Sequence, residues 1–163
     1  DYNCGRSETD GYMPDLKTRL FHTWFLLTRP MTLGVRALAF DAEGRILLVR
    51  HTYIRGWHLP GGGVESGQTM VDALARELRE EANVKFGHPP QLRSVHLNTR
   101  VTKRDHVAVY LCENVRQVAP KERDMEIEEA RFFRLDDLPE TIAASTATRI
   151  GEFNNGTAAD PFW

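Results

Sequence analysis

Residues 61–84 read GGGVESGQTMVDALARELREEANV: three glycines, a short polar loop, and a helix-forming run that closes on Asn83-Val84. Thr69 followed by Asp72 has the spacing of a capping box, which sets the start of a helix from about Thr69 to Ala82. On a wheel of about 100° per residue, Val71, Leu74, Ala75, Leu78 and Ala82 gather on one side, which must pack into a core. Glu77, Glu80 and Glu81 gather on another, because positions three and four apart lie roughly 5–6 Å from each other at Cβ.

Three carboxylates at these spacings repel, and each ionised one raises the pKa of its neighbours. A divalent cation removes the conflict. Oxygen-only donors suit a hard ion, Mg²⁺ ahead of Mn²⁺, and Mg²⁺ takes few protein ligands while sharing itself with substrate phosphates. Arg76 can neutralise the cluster through Glu80 or orient Glu77. An isolated Glu-x-x-Glu-Glu is ordinarily a solvated helix face, and a bare Gly-Gly-Gly is ordinarily a turn. Their adjacency here is what points to chemistry, since consecutive glycines let backbone groups approach a metal or a phosphate.

The whole pattern resembles the Nudix hydrolases, MutT-like proteins whose signature runs Gly, five residues, Glu, seven residues, Arg-Glu-apolar-x-Glu-Glu-x-Gly-apolar. Here it is Gly62, five residues, Gln68, seven residues, then Arg76-Glu77-Leu78-Arg79-Glu80-Glu81-Ala82-Asn83-Val84, with Gln68 in place of Glu and Asn83 in place of Gly. The likeness extends from about Val35 to Pro139. It takes in Trp57-His58-Leu59-Pro60-Gly61-Gly62 and the later Ala130-Arg131-Phe132-Phe133-Arg134-Leu135-Asp136-Asp137-Leu138-Pro139. The resemblance implies an α/β/α sandwich with a mixed β-sheet and a loop-helix-loop catalytic element. It implies hydrolysis of a pyrophosphate bond in a nucleoside diphosphate derivative: a nucleotide sugar, an ADP-ribose-like compound or a nucleoside triphosphate. Carried over by position, Glu77 is metal-proximal and the base for water, Glu80 and Glu81 are metal ligands, the carbonyl of Gly61 is a further ligand, and Arg76 holds Glu77. Glu126, from the acidic stretch before Ala130, is a candidate additional carboxylate, and Gln68 a secondary one.

Outward from this element, Leu16, Leu20, Trp24 and Leu27 recur at three- and four-residue steps, predicting a helix over 16–28 that Pro30 stops, after a polar arm over 1–15. Val35–Phe40 and Arg45–Arg50 flank Asp41-Ala42-Glu43-Gly44 and are expected to pair as a hairpin. Gln91–Leu97 and His106–Val115 flank a turn rich in Arg and Lys, Ala130–Leu135 is a further strand, and a short helix is expected over about 146–153, then a tail over 154–163. Strands interleaved with few helices make this an α+β, mixed α/β chain, with one Nudix-like domain over 16–153 and its core over 33–139.

Composition narrows the partners. With 163 residues, 41% of them hydrophobic, the chain suits one globular domain, and a net charge of −2 lacks the broad basic footprint of a duplex-DNA binder. The expected partner is a small nucleotide rather than long nucleic acid or a membrane, and a homodimer stays open. The two cysteines, Cys4 and Cys112, have no metal or disulfide spacing, which fits a reducing cytoplasm. Arg50, Tyr53 and Arg100 are candidate substrate contacts, the arginines for phosphate and Tyr53 for stacking on a base. The rival reading is a catalytically weakened Nudix-fold module that binds or senses a nucleotide, with Gln68 as its support.

Overall fold

The computed structural model describes Leu16, Lys17, Trp24 and residues 30–163. The chain divides into two compact units, residues 1–30 and 31–163. In the first, Leu16, Lys17 and Trp24 are helical and exposed, while the rest of the expected 16–28 helix and the 1–15 arm lie outside the described residues.

The second unit is built on strand β1 (Thr32–Ala39), whose side chains alternate between two cores. Val35, Ala37 and Ala39 join one core with helix α1 (Met70–Ala82), and Leu38 and Phe40 join the other with helix α2 (Ala144–Asn155). A strand apolar on both faces needs cover on both sides, and the two helices supply it. The mixed sheet of an α/β/α sandwich follows. β1 runs parallel to β6 (Asp105–Cys112), and β5 (Gln91–Leu97) runs antiparallel to β6. A second sheet sets β2 (Ile46–His51) antiparallel to β3 (Trp57–His58) and to β8 (Ile127–Phe133). Two short strands, β4 (Val84–Lys85) and β7 (Arg116–Gln117), close the end beyond α1.

The hairpin expected of Val35–Phe40 and Arg45–Arg50 does not form. Asp41–Gly44 is a tight turn, with Gly44 at φ +74° and the Asp41 carboxylate accepting backbone N–H groups of Glu43 and Arg45, but it carries the chain from one sheet to the other. Only the bridge Phe40–Ile46 joins the two strands. The physical reason is their two-sided apolarity: Ile46 to Val49 are all fully buried, and a hairpin layer would have left one face of each strand without a partner. Strand β8 also begins at Ile127, ahead of the expected Ala130, because Glu128 and Glu129 lie beside Arg50 of β2 rather than in a solvated loop.

Beyond α2 the chain is irregular yet held. Leu97 donates its N–H to the Pro161 carbonyl (2.8 Å) and accepts from the Trp163 N–H (3.1 Å), which lays residues 161–163 along the free edge of β5. Buried Arg149 of α2 anchors the segment, pairing with Glu152 at 2.7 Å, reaching the Phe162 carbonyl at 3.3 Å and contacting His96, while Glu152 accepts the Asp160 N–H at 2.9 Å.

Helix α1 is capped as its sequence specifies. Thr69 and Asp72 form the reciprocal box, and Asn83 sits left-handed at φ 55°, with its side-chain amide donating to the Pro120 carbonyl at 3.0 Å. The wheel needs correction: Val71 is exposed and Ala75 only partly buried, while Ala73 and Glu81 are buried with Leu74, Leu78 and Ala82. Replacing Asn83 by Val should cost about 1 kcal/mol or more, since a β-branched residue resists positive φ. Asn83→Gly should stay within about 0.5 kcal/mol of the native chain, relief of φ strain offsetting the lost amide contact. Urea unfolding of both variants checks the pair, and an undisturbed Asn83→Val would count against the strain argument.

Candidate active site

Gly61, Gly62 and Gly63 lie along the outer edge of β1 as an added antiparallel segment. Val35 donates to the Gly62 carbonyl at 2.9 Å, Ala37 to Pro60 at 2.9 Å, and Val64 to Leu33 at 2.8 Å. The absence of side chains is a requirement here. A Cβ on Gly61, which has φ +139°, would lie 2.1 Å from the Val35 carbonyl oxygen, and one on Gly62 would lie 2.2 Å from Glu77 Oε1. The loop is therefore wedged between β1 and the acidic face of α1, with no room on either side.

Against it stand Glu81 and Glu77. Glu81, only 4% exposed, accepts the Gly61 N–H at 2.7 Å through Oε2. Burial pushes its carboxyl up to about 8, Glu77 and Glu126 push the same way, and the Arg36 charge and the Gly61 N–H oppose them. Glu77 is half-buried and also raised, by burial first, with Arg76 opposing. Arg76 places Nη1 2.9 Å from Glu77 and 3.2 Å from Glu80 and donates Nη2 to the Gly63 carbonyl at 3.0 Å. The helix wheel's cluster of three thus separates into an inward pair, Glu77 and Glu81, and an exposed Glu80 shared between Arg76 and Arg79. Among the described residues no group of three or more His, Cys, Asp or Glu is gathered closely enough to hold a metal ion together.

Two further residues complete the floor of the site. Arg36, a cation inside the apolar run of β1, donates Nη1 to the Gly61 carbonyl and reaches the Leu59 carbonyl at 3.5 Å. Sequence reasoning missed it, although a lone arginine in Val35–Phe40 was a visible signal. His51 of β2 brings Nε2 within 3.7 Å of Glu81 Oε1, but burial, with the charge of Arg36, pushes its ring down to about 4. That approach is a contact between a neutral ring and a carboxyl rather than an ion pair, and the buried His51 Nδ1 has no hydrogen-bond partner.

The remaining candidates divide. Glu126 belongs to the site's surroundings: its carboxylate accepts from Tyr53 at 3.4 Å, its carbonyl accepts the Thr52 N–H at 2.9 Å, and its charge is felt by Glu81. Tyr53 is 70% exposed and its ring lies 5.2 Å from that of His51. Gln68 turns away from Arg76 and closes the loop instead, accepting the Glu65 N–H at 3.2 Å; Glu65 is the carboxylate that approaches Arg76, at 3.9 Å. Arg50 is engaged by Glu129 at 2.9 Å and Glu128 at 3.5 Å and lies over the Trp57 ring. Arg100 is exposed in the β5–β6 turn and makes no hydrogen bond or ion pair with Glu77 or Glu81.

The groups packed against the loop from α1, the Glu77 and Glu81 carboxylates, offer oxygens only, as do the loop's own carbonyls. A buried acid held above its ordinary pKa for want of positive charge, next to such a set, fits a hard divalent ion.

The model of the NUDIX domain family matches residues 30–151. A stretch of 51 residues is 45% identical to an RNA pyrophosphohydrolase of Halorhodospira halophila (strain DSM 244 / SL1), covering 31% of this chain and 28% of that protein. The match to phosphatase NudJ of Escherichia coli (strain K12) is 28% identical over 106 residues, 63% of this chain and 68% of that one. This chain spans 28%, 25% and 39% of the length of the RNA pyrophosphohydrolases it matches. The crystal structure of a MutT NUDIX hydrolase from Burkholderia pseudomallei aligns with a TM-score of 0.62 at 27% identity, covering 74% of this chain and 95% of that chain.

The buried acid makes the metal-free chain pH-sensitive. Glu81 keeps its proton in the folded state up to about 8 while the unfolded chain releases it near 4.5, so stability falls as pH rises through that window. His51, lowered to about 4 from 6.5, and His58 and His96, also lowered by burial, act oppositely below 6.5, so Glu81 is read from pH 6.5 to 8 as the difference between a charge-removing variant and the native chain. Glu81→Gln keeps an acceptor for Gly61 and removes the charge. Its melting temperature in chelator should therefore exceed that of the native chain by a margin that grows from pH 6.5 to 8. A margin constant with pH would remove the raised pKa.

Proposed function

We propose that this chain, which belongs to the NUDIX domain family, hydrolyses a pyrophosphate bond in a nucleoside diphosphate derivative with Mg²⁺ as its working ion, Mn²⁺ substituting. The observation that carries this reading is the wedge of Gly61 and Gly62 against Glu77 and Glu81. Substrate phosphates and the acids can meet at one bare stretch of backbone, in a place where carboxylates are short of positive charge. The names of the relatives support the reaction class, a pyrophosphohydrolase and a phosphatase.

Glu77, Glu81, the Gly61 carbonyl and, after a turn of its side chain away from Arg76, Glu80 would hold the ion. When bound, a divalent ion neutralises phosphate oxygens and makes water a better nucleophile. The chain's own residues supply the remainder. Glu77, with its carboxyl raised by burial, takes the proton of the attacking water. Arg76 fixes Glu77 through a 2.9 Å contact and is itself held by the Gly63 carbonyl, so the base cannot swing out of line. The Gly61 N–H fixes Glu81. Tyr53, exposed beside His51, offers its face to a nucleobase, and Glu126 positions its hydroxyl.

One feature favours the alternative of a binding module. The residue at 68 is Gln, and its side chain serves the loop rather than the acids. Gln68→Glu would bring a carboxylate to the loop that carries Glu65, and in an enzyme it should change turnover by no more than about 100-fold. Hydrolysis that begins only with Gln68→Glu would make the native chain a binding module.

Turnover is tested with nucleotide sugars, ADP-ribose and nucleoside triphosphates, with and without Mg²⁺. Glu77→Gln and Glu81→Gln should each lower turnover at least about 100-fold in a folded protein, the scale of losing a positioned base or the charge stabilisation beside it. Equal turnover in both variants and the native chain would place the chemistry elsewhere.

A further inference from the structure

We infer that Arg36 and a divalent ion are alternative, mutually exclusive countercharges of the site: the guanidinium is a built-in placeholder that the ion must displace from the Gly61 carbonyl. The inference rests on the reading of Glu77, Glu81 and Gly61 as the ion's ligands.

Two observations converge on it. Arg36 Nη1 contacts the Gly61 carbonyl oxygen, the atom assigned above to the ion. The guanidinium has no carboxylate of its own, making neither a salt bridge nor a hydrogen bond to an acid side chain; its two acceptors are the carbonyls of Leu59 and Gly61. Among the described residues, a strand-interior arginine is thus satisfied only by the backbone carbonyls of Leu59 and Gly61, the second on the glycine whose N–H Glu81 accepts.

The geometry makes the exchange compact. Glu81 accepts the N–H of Gly61 while Arg36 donates to its C=O, so one glycine is held through both of the peptide groups that flank it. The peptide itself cannot retreat, because a neighbour on β1 already touches the space where a Cβ of Gly61 would be, and Ala37 and Val35 hold Pro60 and Gly62 on either side. The carbonyl oxygen is therefore a fixed point, and what changes is the cation in front of it. A carbonyl oxygen with a guanidinium against it cannot also face a dipositive ion at bonding distance, since two cations at one oxygen repel. Arg36 has a flexible stem that can swing, whereas the loop has none. Arg36 is a positioning residue in the metal-free chain and a competitor of the metal in the loaded one.

Binding of Mn²⁺ alone, followed by electron paramagnetic resonance, tests this without any turnover. Arg36→Gln should bind Mn²⁺ at least about 10-fold more tightly than the native chain, the scale on which partners of metal ligands act. In chelator the same variant should melt at a lower temperature, because Gly61 and Glu81 have lost their countercharge. A purely structural role would weaken both properties together, so the opposite signs are the signature. Arg36→Lys, which keeps the charge and the aliphatic stem, should fold in any case and tighten Mn²⁺ binding by less. Equal or weaker binding in folded Arg36→Gln, or in Arg36→Lys should the Gln variant not fold, overturns the placeholder while leaving the metal site standing. Failure of the native chain and both variants to bind Mn²⁺ overturns the metal site and the placeholder together.

Discussion

The hydrogen bond from the Gly61 N–H to the buried Glu81 carboxylate is the point on which the site depends. It joins the middle of the glycine loop to the last turn of α1, and the loop's neighbouring peptides are stitched to β1. Through that one contact a strand, a loop and a helix keep a common register. The helix cannot rotate, because Leu74, Leu78 and Ala82 lock its other face into the core shared with Val35, Ala37 and Ala39. The loop cannot shift outward without losing Val35 and Ala37 as donors. A buried carboxylate needs such a partner in any case, for an unpaired one would be far costlier to keep charged.

Around this contact the charges are arranged in two tiers. Below, Arg36 reaches the site from the sheet; at the rim, Arg76 gathers Glu77, Glu80 and the Gly63 carbonyl. The tiers differ in what they neutralise. Arg76 is shared between two carboxylates at direct contact distance, so Glu77 is raised less decisively than Glu81, whose cation lies behind a peptide group rather than against its oxygens. The inner acid is left deficient in positive charge and the outer one nearly balanced. A ligand bringing positive charge gains most at Glu81, the position the chain has placed deepest.

Much of this was legible in the sequence because it is local. The capping box at Thr69 and Asp72 and the spacing of Glu77 to Glu81 depend on residues within one helix and its ends, and the structure shows the cap as read. What was not legible is long-range. The wheel put Glu77, Glu80 and Glu81 on one face but could not say that the boundary of the core runs between Glu80 and Glu81, a matter of which strand lies beneath. Val71 failed for the same reason. The pairing of β1 and β2 was misjudged because turn chemistry at Asp41–Gly44 specifies a reversal without specifying which sheet receives the next strand. Arg36 was overlooked because its importance lies in an acceptor 25 residues away in sequence.

The long-range features explain why the fold tolerates its own site. Holding Glu81 inside raises its pKa to about 8, which means the folded chain at neutral pH carries a strained choice between burying a charge and retaining a proton. Such a local penalty persists only where the surroundings over-determine the geometry. Here they do so through β1. Its odd-numbered residues fill the core under α1 and its even-numbered ones, Leu38 and Phe40, fill the core under α2, so both hydrophobic layers hold the same strand. Arg36 precedes Leu38 on that even face, beside the edge along which the Pro60–Gly62 backbone pairs with β1. A charged residue in an otherwise apolar strand thus lies where the glycine loop pairs with it, and through Gly61 the loop, the buried acid and the cation are brought together.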